Sequence, residues 1–250
     1  RFIKGDILNN SDLDIAFKSN KFDAVFHFAA LKAAGESMEL PQKYAANNII
    51  GSINILNKML EYNTQTIIFS SSAAVYGEPV YTPIDESHPL QPTNYYGYTK
   101  LTIEQNINWY SKLKKIRFAV LRYFNAAGYD PKQRICTIER DALNLIPVAM
   151  EALIGLREYL PVFGKDYNTI DGTCIRDYIH PTDLADAHIR AFDYILKTKQ
   201  NLTVNLAAAR GVSVLEVIKT IERISGKKLN YKFMPRRAGD PSVVFADNKL

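Results

Sequence analysis

Cysteine is scarce in this chain of 250 residues, where Cys136 and Cys174 are the only two. Two cysteines are too few for a disulfide framework, and they do not stand at a metal-ligand spacing from each other. The four histidines are scattered along the sequence as well. We therefore expect reduced thiols and no metal site.

Long apolar runs are also missing. No stretch approaches the roughly 20 apolar residues needed to cross a bilayer, and no signal-peptide pattern opens the sequence. The net charge of +5 agrees with an anionic small substrate, but no basic run or RNA-binding signature concentrates that charge. With 47% hydrophobic and 23% charged residues, the composition is typical of a globular protein. The sequence predicts a cytoplasmic protein without a membrane or nucleic-acid partner.

The glycine-rich phosphate loop of dinucleotide-binding sheets is the third absence. Such a loop normally follows the first strand of the sheet. Here the first predicted strand, residues 1–7, contains Gly5, but the next glycine in the sequence is Gly35. Without the loop, a dinucleotide pyrophosphate lacks its main binding site. We expect either a chain that lacks the first two strands of such a sheet or a protein that binds no dinucleotide.

Strand-like and helix-like segments alternate through the first half of the chain. Strands are predicted at 1–7, 23–28, 66–69 and 116–123, and helices at 11–17, 43–62 and 96–115. Continuous apolar strands are typical of parallel strands covered on both faces. The pattern predicts an α/β fold with a doubly wound, Rossmann-like parallel sheet in residues 1–126.

The second half predicts a smaller α/β domain at residues 127–250. Helices are predicted at 144–153, 181–196 and 213–225, and strands at 161–163, 203–206 and 228–233. Ser213 is expected to cap the last of these helices, which ends before Gly226. Residues from about 170 to 210 are expected to return in part to the first domain.

The segment Tyr96-Gly97-Tyr98-Thr99-Lys100 predicts a catalytic site. On a helix, Tyr96 and Lys100 lie one turn apart on the same face. A phenol titrates near ~10, and one ammonium at ~4 Å contributes about 4 kcal/mol at an effective dielectric of ~20, enough to favour the phenolate near neutrality. Ser70-Ser71-Ser72 ends the preceding strand, where a hydroxyl could pass a proton between substrate and phenolate.

The same spacing occurs a second time in this helix, at Tyr110 and Lys114. Position separates the two pairs, because Tyr96 opens the helix close to the serine-ended strand and Tyr110 lies roughly 21 Å further along the axis. Tyr110 is therefore expected to be a surface or packing residue.

Several motifs together resemble the UDP-glucose 4-epimerases, which are extended short-chain dehydrogenases. The motifs are Gly5-Asp6-Ile7, the segment 27–33, Gly35-Glu36-Ser37, the segment 70–77, the segment 96–100, the segment 122–125, the segment 172–180 and the segment 236–241. The resemblance covers essentially the whole chain. It also explains the missing loop, because the glycine motif of this family precedes the point that corresponds to residue 1.

The resemblance implies a tightly held NAD that is reduced and reoxidised within one turnover at C4 of a UDP-sugar. Tyr96, Lys100 and Ser72 would be catalytic. The implied cofactor contacts are Asp6, Ile7, Phe28, Ala29, Ala30, Leu31, Lys32, Asn47, Ser72, Tyr96, Lys100 and Phe124. The implied substrate contacts are Ser72, Tyr96, Asn125, Asn144, Leu145, Phe163, Arg176, Arg237, Asp240 and Val244. The helices at 43–62 and 96–115 resemble those of the family's homodimer interface.

Two other functions stay open on the sequence. Nucleotide-sugar 4,6-dehydratases and related decarboxylases share the fold, but they need an acid or base after the serine, where this chain has Ala73-Ala74. A noncatalytic NAD-binding protein is the other alternative, and the complete set of Ser72, Tyr96 and Lys100 argues against it. Val244 falls at the family's gate beside the second position of the sugar, and its small side chain predicts that UDP-GlcNAc is accepted as well as UDP-glucose.

Overall fold

The computed structural model describes residues 1–135, 142–237, 239–247 and 249. Four parallel strands form the central sheet in the order β1-β2-β3-β7. They are β1 (Val25–His27), β2 (Thr66–Ser72), β3 (Arg117–Tyr123) and β7 (Leu202–Leu206). The doubly wound parallel sheet predicted from the sequence is confirmed.

Helices cover both faces of this sheet. On one face lie α1 (Asn10–Lys18), α4 (Gly51–Glu61) and α5 (Tyr95–Lys114), with a buried cluster that includes Leu56, Met59, Phe69 and Ile107. On the other face, α7 (Pro181–Thr198) packs through Leu184, Ala191 and Ile195 onto Ile68 and Leu121. Because both faces are covered, the strands are apolar without alternation.

The second half of the chain builds two smaller sheets. In one, β6 (Ile175–Ile179) pairs with β4 (Asn125–Ala126), β8 (Gly211–Ser213) and β10 (Val243–Val244). In the other, β5 (Leu160–Phe163) pairs in parallel with β9 (Tyr231–Met234). Beside them lie α6 (Leu145–Leu153) and α8 (Val214–Ser225), which is capped by Ser213 and ends before Gly226 as expected. Residues 170–210 were expected to return in part to the first domain. Within this segment, β7 joins the central sheet and β6 does not.

The strand predicted at residues 1–7 is wrong. Hydrogen bonds there are not those of a strand: Asp6 donates its amide to Asp12, Leu8 donates its amide to the Asp6 carboxylate, and the Ile7 carbonyl accepts from the Asn54 side chain. A strand needs a neighbouring strand to pair with, and within the described residues β1 pairs only with β2. The cap of α1 is Asn9, whose side chain accepts from the Ser11 amide, so this helix begins one residue before the predicted start at Ser11.

The long helix predicted at 43–62 is also interrupted. The loop before it contains α2 (Ala34–Glu39), and Pro41 then opens α3 (Pro41–Tyr44). Residues Ala45–Ile50 form a π-helical turn before α4 begins. Such turns are rare and often lie at functional sites. The strand predicted at 228–233 is shorter and begins later, as β9.

No helix of the described chain is both long and apolar enough to cross a membrane. Within the same residues, no group of histidine, cysteine or acidic side chains is arranged to hold a metal ion. His27 is a core histidine that lies 2.7 Å from the Ser52 hydroxyl. Cys174 is a free thiol, and Cys136 lies outside the described residues.

Candidate active site

Ser72 and Tyr96 meet at the carboxyl end of the central sheet. Ser72 is the last residue of β2, and Tyr96 lies in the first turn of α5, whose cap Asn94 accepts a 2.9 Å hydrogen bond from the Gly97 amide. The Ser72 hydroxyl forms a hydrogen bond with the Tyr96 side chain. Gly97 permits this approach, because a Cβ there would lie 2.4 Å from the Ala74 carbonyl oxygen.

Helix α2, which sequence reasoning missed, fixes the Tyr96 backbone. The buried Ser37 hydroxyl accepts a 2.9 Å hydrogen bond from the Tyr96 amide. The first four amides of a helix have no partner within the helix, so an outside acceptor stabilises this end. Ser37 therefore holds the start of α5 where Tyr96 faces Ser72.

Lys100 lies beneath this pair, with only 3% of its surface exposed. Its ammonium donates a 2.7 Å hydrogen bond to the Ser70 carbonyl and lies 4.9 Å from the Phe69 ring centre and 5.9 Å from that of Tyr96. Burial lowers the pKa of Lys100 to about 8, although the negative charge of Glu104 raises it. Lys100 is therefore a buried amine whose pKa lies well below that of a free lysine.

Burial acts against ionisation of the Tyr96 phenol. Burial raises the pKa of Tyr96 above its usual value, and the hydrogen bond with Ser72 lowers it only in part. Activation of the phenol by Lys100 therefore stays a prediction, which burial of the phenol opposes.

Tyr110 has a packing role, as expected. Its hydroxyl donates a 2.7 Å hydrogen bond to Asn57 on α4, and its ring packs against the core beneath the sheet. Tyr110 does not line the cavity described next.

A cavity of about 500 Å³ opens beside Ser72 and Tyr96 and runs between the central sheet and the second half of the chain. Nine of the ten predicted substrate contacts line it, together with the predicted cofactor contacts Lys32 and Phe124. The nine are Ser72, Tyr96, Asn125, Asn144, Leu145, Phe163, Arg176, Arg237 and Asp240. Val244 is the exception, because it packs against the buried cluster of Val75, Tyr76, Ile84, Phe124 and Ala246.

Two of the cationic residues that line the cavity, Arg176 and Arg237, suit an anionic ligand. Arg176 lies 3.8 Å from the Asp240 carboxylate and donates to the Ile175 carbonyl at 2.8 Å. Arg237 stacks over Phe163, with its guanidinium 3.7 Å from the ring centre. Planar guanidinium groups bind phosphate through paired, charge-assisted hydrogen bonds. Asp240 is the one carboxylate among the described residues that line the cavity.

The remaining predicted cofactor contacts lie outside this cavity. Asp6 accepts from Leu8 in a turn, and Ile7 packs against the core under the central sheet. Phe28, Ala29, Ala30 and Leu31 follow β1, where the Phe28 ring is 58% exposed. Asn47 lies in the π-helical turn and donates to its neighbour Asn48.

Asn48 is a site residue that sequence reasoning missed. It is fully buried, accepts a 2.8 Å hydrogen bond from the Leu31 amide and donates to the Leu31 carbonyl and to Thr99. Asn48 thereby ties the segment after β1 to α5. A polar residue at a buried position of a predicted helix was the available signal.

Several cavity residues were also missed. Tyr123, Arg157, Cys174 and Tyr178 contribute to its wall. Tyr123 bonds with the Ser70 hydroxyl at 2.7 Å, and Arg157 donates to the Ala142 carbonyl at 3.2 Å. Tyr123, Cys174 and Tyr178 lie in segments that resemble the family, which was the available signal, whereas only tertiary packing brings Arg157 to the cavity.

The residues around Lys100 fit a nicotinamide dinucleotide. An ammonium has three donors, and Lys100 shows one hydrogen bond within the described chain, to Ser70. Two donors of a buried cation are thus available to ribose hydroxyls. The exposed Phe28 ring and the small Ala29 and Ala30 at the end of β1 leave room for close approach by a planar ring.

A serine, a tyrosine and a buried lysine at the carboxyl end of a parallel sheet define the class as a short-chain dehydrogenase. Residues 1–207 match the NAD dependent epimerase/dehydratase family. The chain belongs to this family.

Named relatives agree with this membership. The UDP-glucose 4-epimerase of Halalkalibacterium halodurans is 44% identical over 99% of this chain and 74% of that protein. The crystal structure of the Brucella ovis UDP-glucose 4-epimerase in complex with NAD is 43% identical, with a TM-score of 0.94 over 98% of this chain and 76% of that one. The Campylobacter jejuni UDP-Glc/GlcNAc 4-epimerase is 40% identical, with a TM-score of 0.83 over 100% of this chain and 76% of that one.

Proposed function

We propose that this protein interconverts UDP-glucose and UDP-galactose by reversible oxidation at C4 of the sugar, with NAD as its cofactor. The observation that carries the proposal is the position of Ser72 and Tyr96, above the buried Lys100, at one end of a cavity that also holds Arg176 and Arg237. The named relatives are UDP-glucose 4-epimerases, which supports this substrate.

The residues of the chain divide the chemistry among them. Tyr96 takes the proton of the 4-hydroxyl and returns it after the 4-keto sugar has turned over, while Ser72 orients that hydroxyl. Lys100 holds the nicotinamide ribose, and Asn48 fixes the backbone at Leu31. When bound, NAD supplies the hydride acceptor and donor. Arg176 and Arg237 hold the diphosphate, so that the sugar can rotate while its nucleotide stays in place.

The proposal is tested by incubating the full-length protein with UDP-glucose and NAD and measuring product mass and configuration. An epimerase yields UDP-galactose of unchanged mass, whereas a dehydratase product loses one water. Elimination needs an acid near Ser72, but Ala73 and Ala74 follow it, and Asp240 is the one described carboxylate on the cavity wall. A protein that binds NAD without turnover would contradict both enzyme functions.

N-acetylated sugars belong to the same proposal, in which the protein epimerises UDP-GlcNAc as well as UDP-glucose. The small side chain of Val244 at the predicted gate favours a pocket with space for the acetamido group. The similarity to the Campylobacter jejuni UDP-Glc/GlcNAc 4-epimerase supports acceptance of both sugars. Incubation of the full-length protein with UDP-GlcNAc and NAD measures this activity.

Lys100→Met is expected to move the acid limb of the pH dependence of kcat/KM to higher pH. Without the ammonium the phenolate of Tyr96 loses its positive neighbour, so the pKa of Tyr96 rises and the base form appears later as pH increases. The measurement is kcat/KM for UDP-galactose between pH 5 and 10, with the enzyme saturated with NAD. An unshifted profile would remove the electrostatic role of Lys100.

Arg237→Ala is expected to weaken binding of UDP by about 10- to 150-fold, because a charge-assisted hydrogen bond contributes about 1.5 to 3 kcal/mol. Isothermal calorimetry with UDP alone measures this loss. The control is Arg190→Ala on α7, which removes an exposed arginine paired with Asp186 away from the cavity. Equal UDP affinity in wild type and Arg237→Ala would place this arginine outside the diphosphate site.

The homodimer and the cytoplasmic location stay proposals. A dimer is supported by the outer face of α5, where Tyr98, Trp109 and Leu113 are exposed at helical spacing. An exposed apolar face of this kind is typical of an association surface. Sedimentation equilibrium measures the oligomeric state directly.

A further inference from the structure

A buried ion pair lies beneath the active site, where Glu104 on α5 meets Arg122 on β3. Only 7% of the Glu104 surface and 4% of the Arg122 surface are exposed. Arg122 donates two hydrogen bonds to the carboxylate, from Nη2 at 2.7 Å and from Nε at 3.1 Å. Taking two charges out of water is costly, and apolar replacements of such pairs are often no less stable. Stability alone therefore does not explain this pair.

The Glu104 carboxylate has a further partner in Ser71, the residue that precedes Ser72 in β2. The Ser71 hydroxyl donates to Oε1 of Glu104, the oxygen that also accepts from Nε of Arg122. Arg122 is held in turn, because its Nη1 donates to the Tyr76 hydroxyl at 3.0 Å. The carboxylate is thus fixed from β3 and binds the carboxyl end of β2.

Three contacts at one-turn intervals join α5 to the last three residues of β2. They are Tyr96 with the Ser72 hydroxyl, Lys100 with the Ser70 carbonyl and Glu104 with the Ser71 hydroxyl. The helix residues stand four apart, so they share one face of α5. Glu104 is anchored to β3 as well, through Arg122. Its contact therefore fixes the strand end on which Ser72 faces Tyr96.

We propose that Glu104, anchored by Arg122, is a positioning residue for Ser72. It fixes Ser71, and the next hydroxyl of the strand then faces Tyr96. This inference rests on the proposed function, because it deepens the assignment of Ser72 and Tyr96 to the 4-hydroxyl of the sugar. Glu104 and Arg122 do not line the cavity, so they act on the reaction only through the strand end. A misplacement of about 1 Å in an active site can lower turnover by about 100-fold.

The test is a pair of conservative variants of the full-length protein and their double variant. Ser71→Ala removes the bond to Glu104 and keeps the ion pair, whereas Arg122→Lys keeps a positive charge but loses the planar fork that pairs with both carboxylate oxygens. Each is expected to lower kcat for UDP-galactose by about 10- to 100-fold and to leave UDP affinity, measured by calorimetry, unchanged. The double variant is expected to lose no more than the larger single loss, because both changes remove the same positioning contact.

Ser213→Ala is the matched control, since it removes another buried serine hydroxyl that donates to a carboxylate, that of Asp171. Ser213 also caps α8, so this variant is expected to melt at a lower temperature with unchanged kcat. The positioning role is overturned by unchanged kcat in Ser71→Ala or Arg122→Lys, by additive losses in the double variant, or by an equal loss in Ser213→Ala. An active wild type leaves the proposed function standing in each of these cases, whereas a wild type that does not epimerise UDP-galactose overturns both.

Discussion

Tyr96→Phe in the full-length protein is expected to lower turnover by at least the ~100-fold typical of a lost general base, while NAD stays bound. Phenylalanine keeps the ring in the first turn of α5 and removes only the oxygen that exchanges a proton with the 4-hydroxyl. Ser72 cannot replace it, because an aliphatic hydroxyl beside a buried cation is a poor base. Steady-state turnover of UDP-galactose and the absorbance of the bound cofactor measure the two parts of this expectation.

Tyr110→Phe is the matched control on the same helix. It repeats the Tyr-x-x-x-Lys spacing with Lys114, but its hydroxyl bonds to Asn57 and it lies away from the cavity. Turnover is expected to be nearly unchanged, with a small loss of stability for the lost hydrogen bond. Equal effects of the two substitutions would refute the assignment of catalysis to Tyr96.

Local patterns predicted this part of the site well. Thr66 to Phe69 is a strand-like run that is followed by the hydroxyls of Ser70 to Ser72, and Tyr96 and Lys100 share one face of the next long helix. Both features are encoded within a few residues, and the position of Tyr96 close after the serine-ended strand distinguishes this pair from Tyr110 and Lys114. The arginines, in contrast, were predicted through the resemblance to a family, since a lone arginine has no pattern of its own.

Pairing and burial account for what sequence reasoning missed. Residues 1–7 have strand propensity but no strand beside them in the described chain, and pairing depends on distant residues. The π-helical turn at Ala45–Ile50 lies within a continuous helical pattern, so the buried Asn48 was not distinguished from Asn47. The raised pKa of Tyr96 follows from burial, which the spacing to Lys100 does not reveal.

The gate predicted at Val244 lies next to the cavity and not on its wall. Val244 is paired in register with Arg176, which lines the cavity, but its side chain packs against the core cluster that contains Phe124. A residue in this position can act on the second position of the sugar only by changing the shape of the wall beside Arg176. A substitution that enlarges the side chain of Val244 therefore tests the proposed acceptance of UDP-GlcNAc.

Val244→Tyr is expected to lower turnover of UDP-GlcNAc by ~10- to 200-fold relative to UDP-glucose, the range that a small steric difference produces. A close-packed core absorbs a larger side chain only at a cost of about 1 to 3 kcal/mol, so the tyrosine ring is expected to turn towards the cavity beside Arg176. Val243→Tyr is the control, because successive residues of a strand point to opposite faces. The measurement is the ratio of kcat/KM for the two sugars in wild type and both variants. If the wild type rejects UDP-GlcNAc, or if the ratio stays constant while Val244→Tyr only loses stability, Val244 is a packing residue and not the gate.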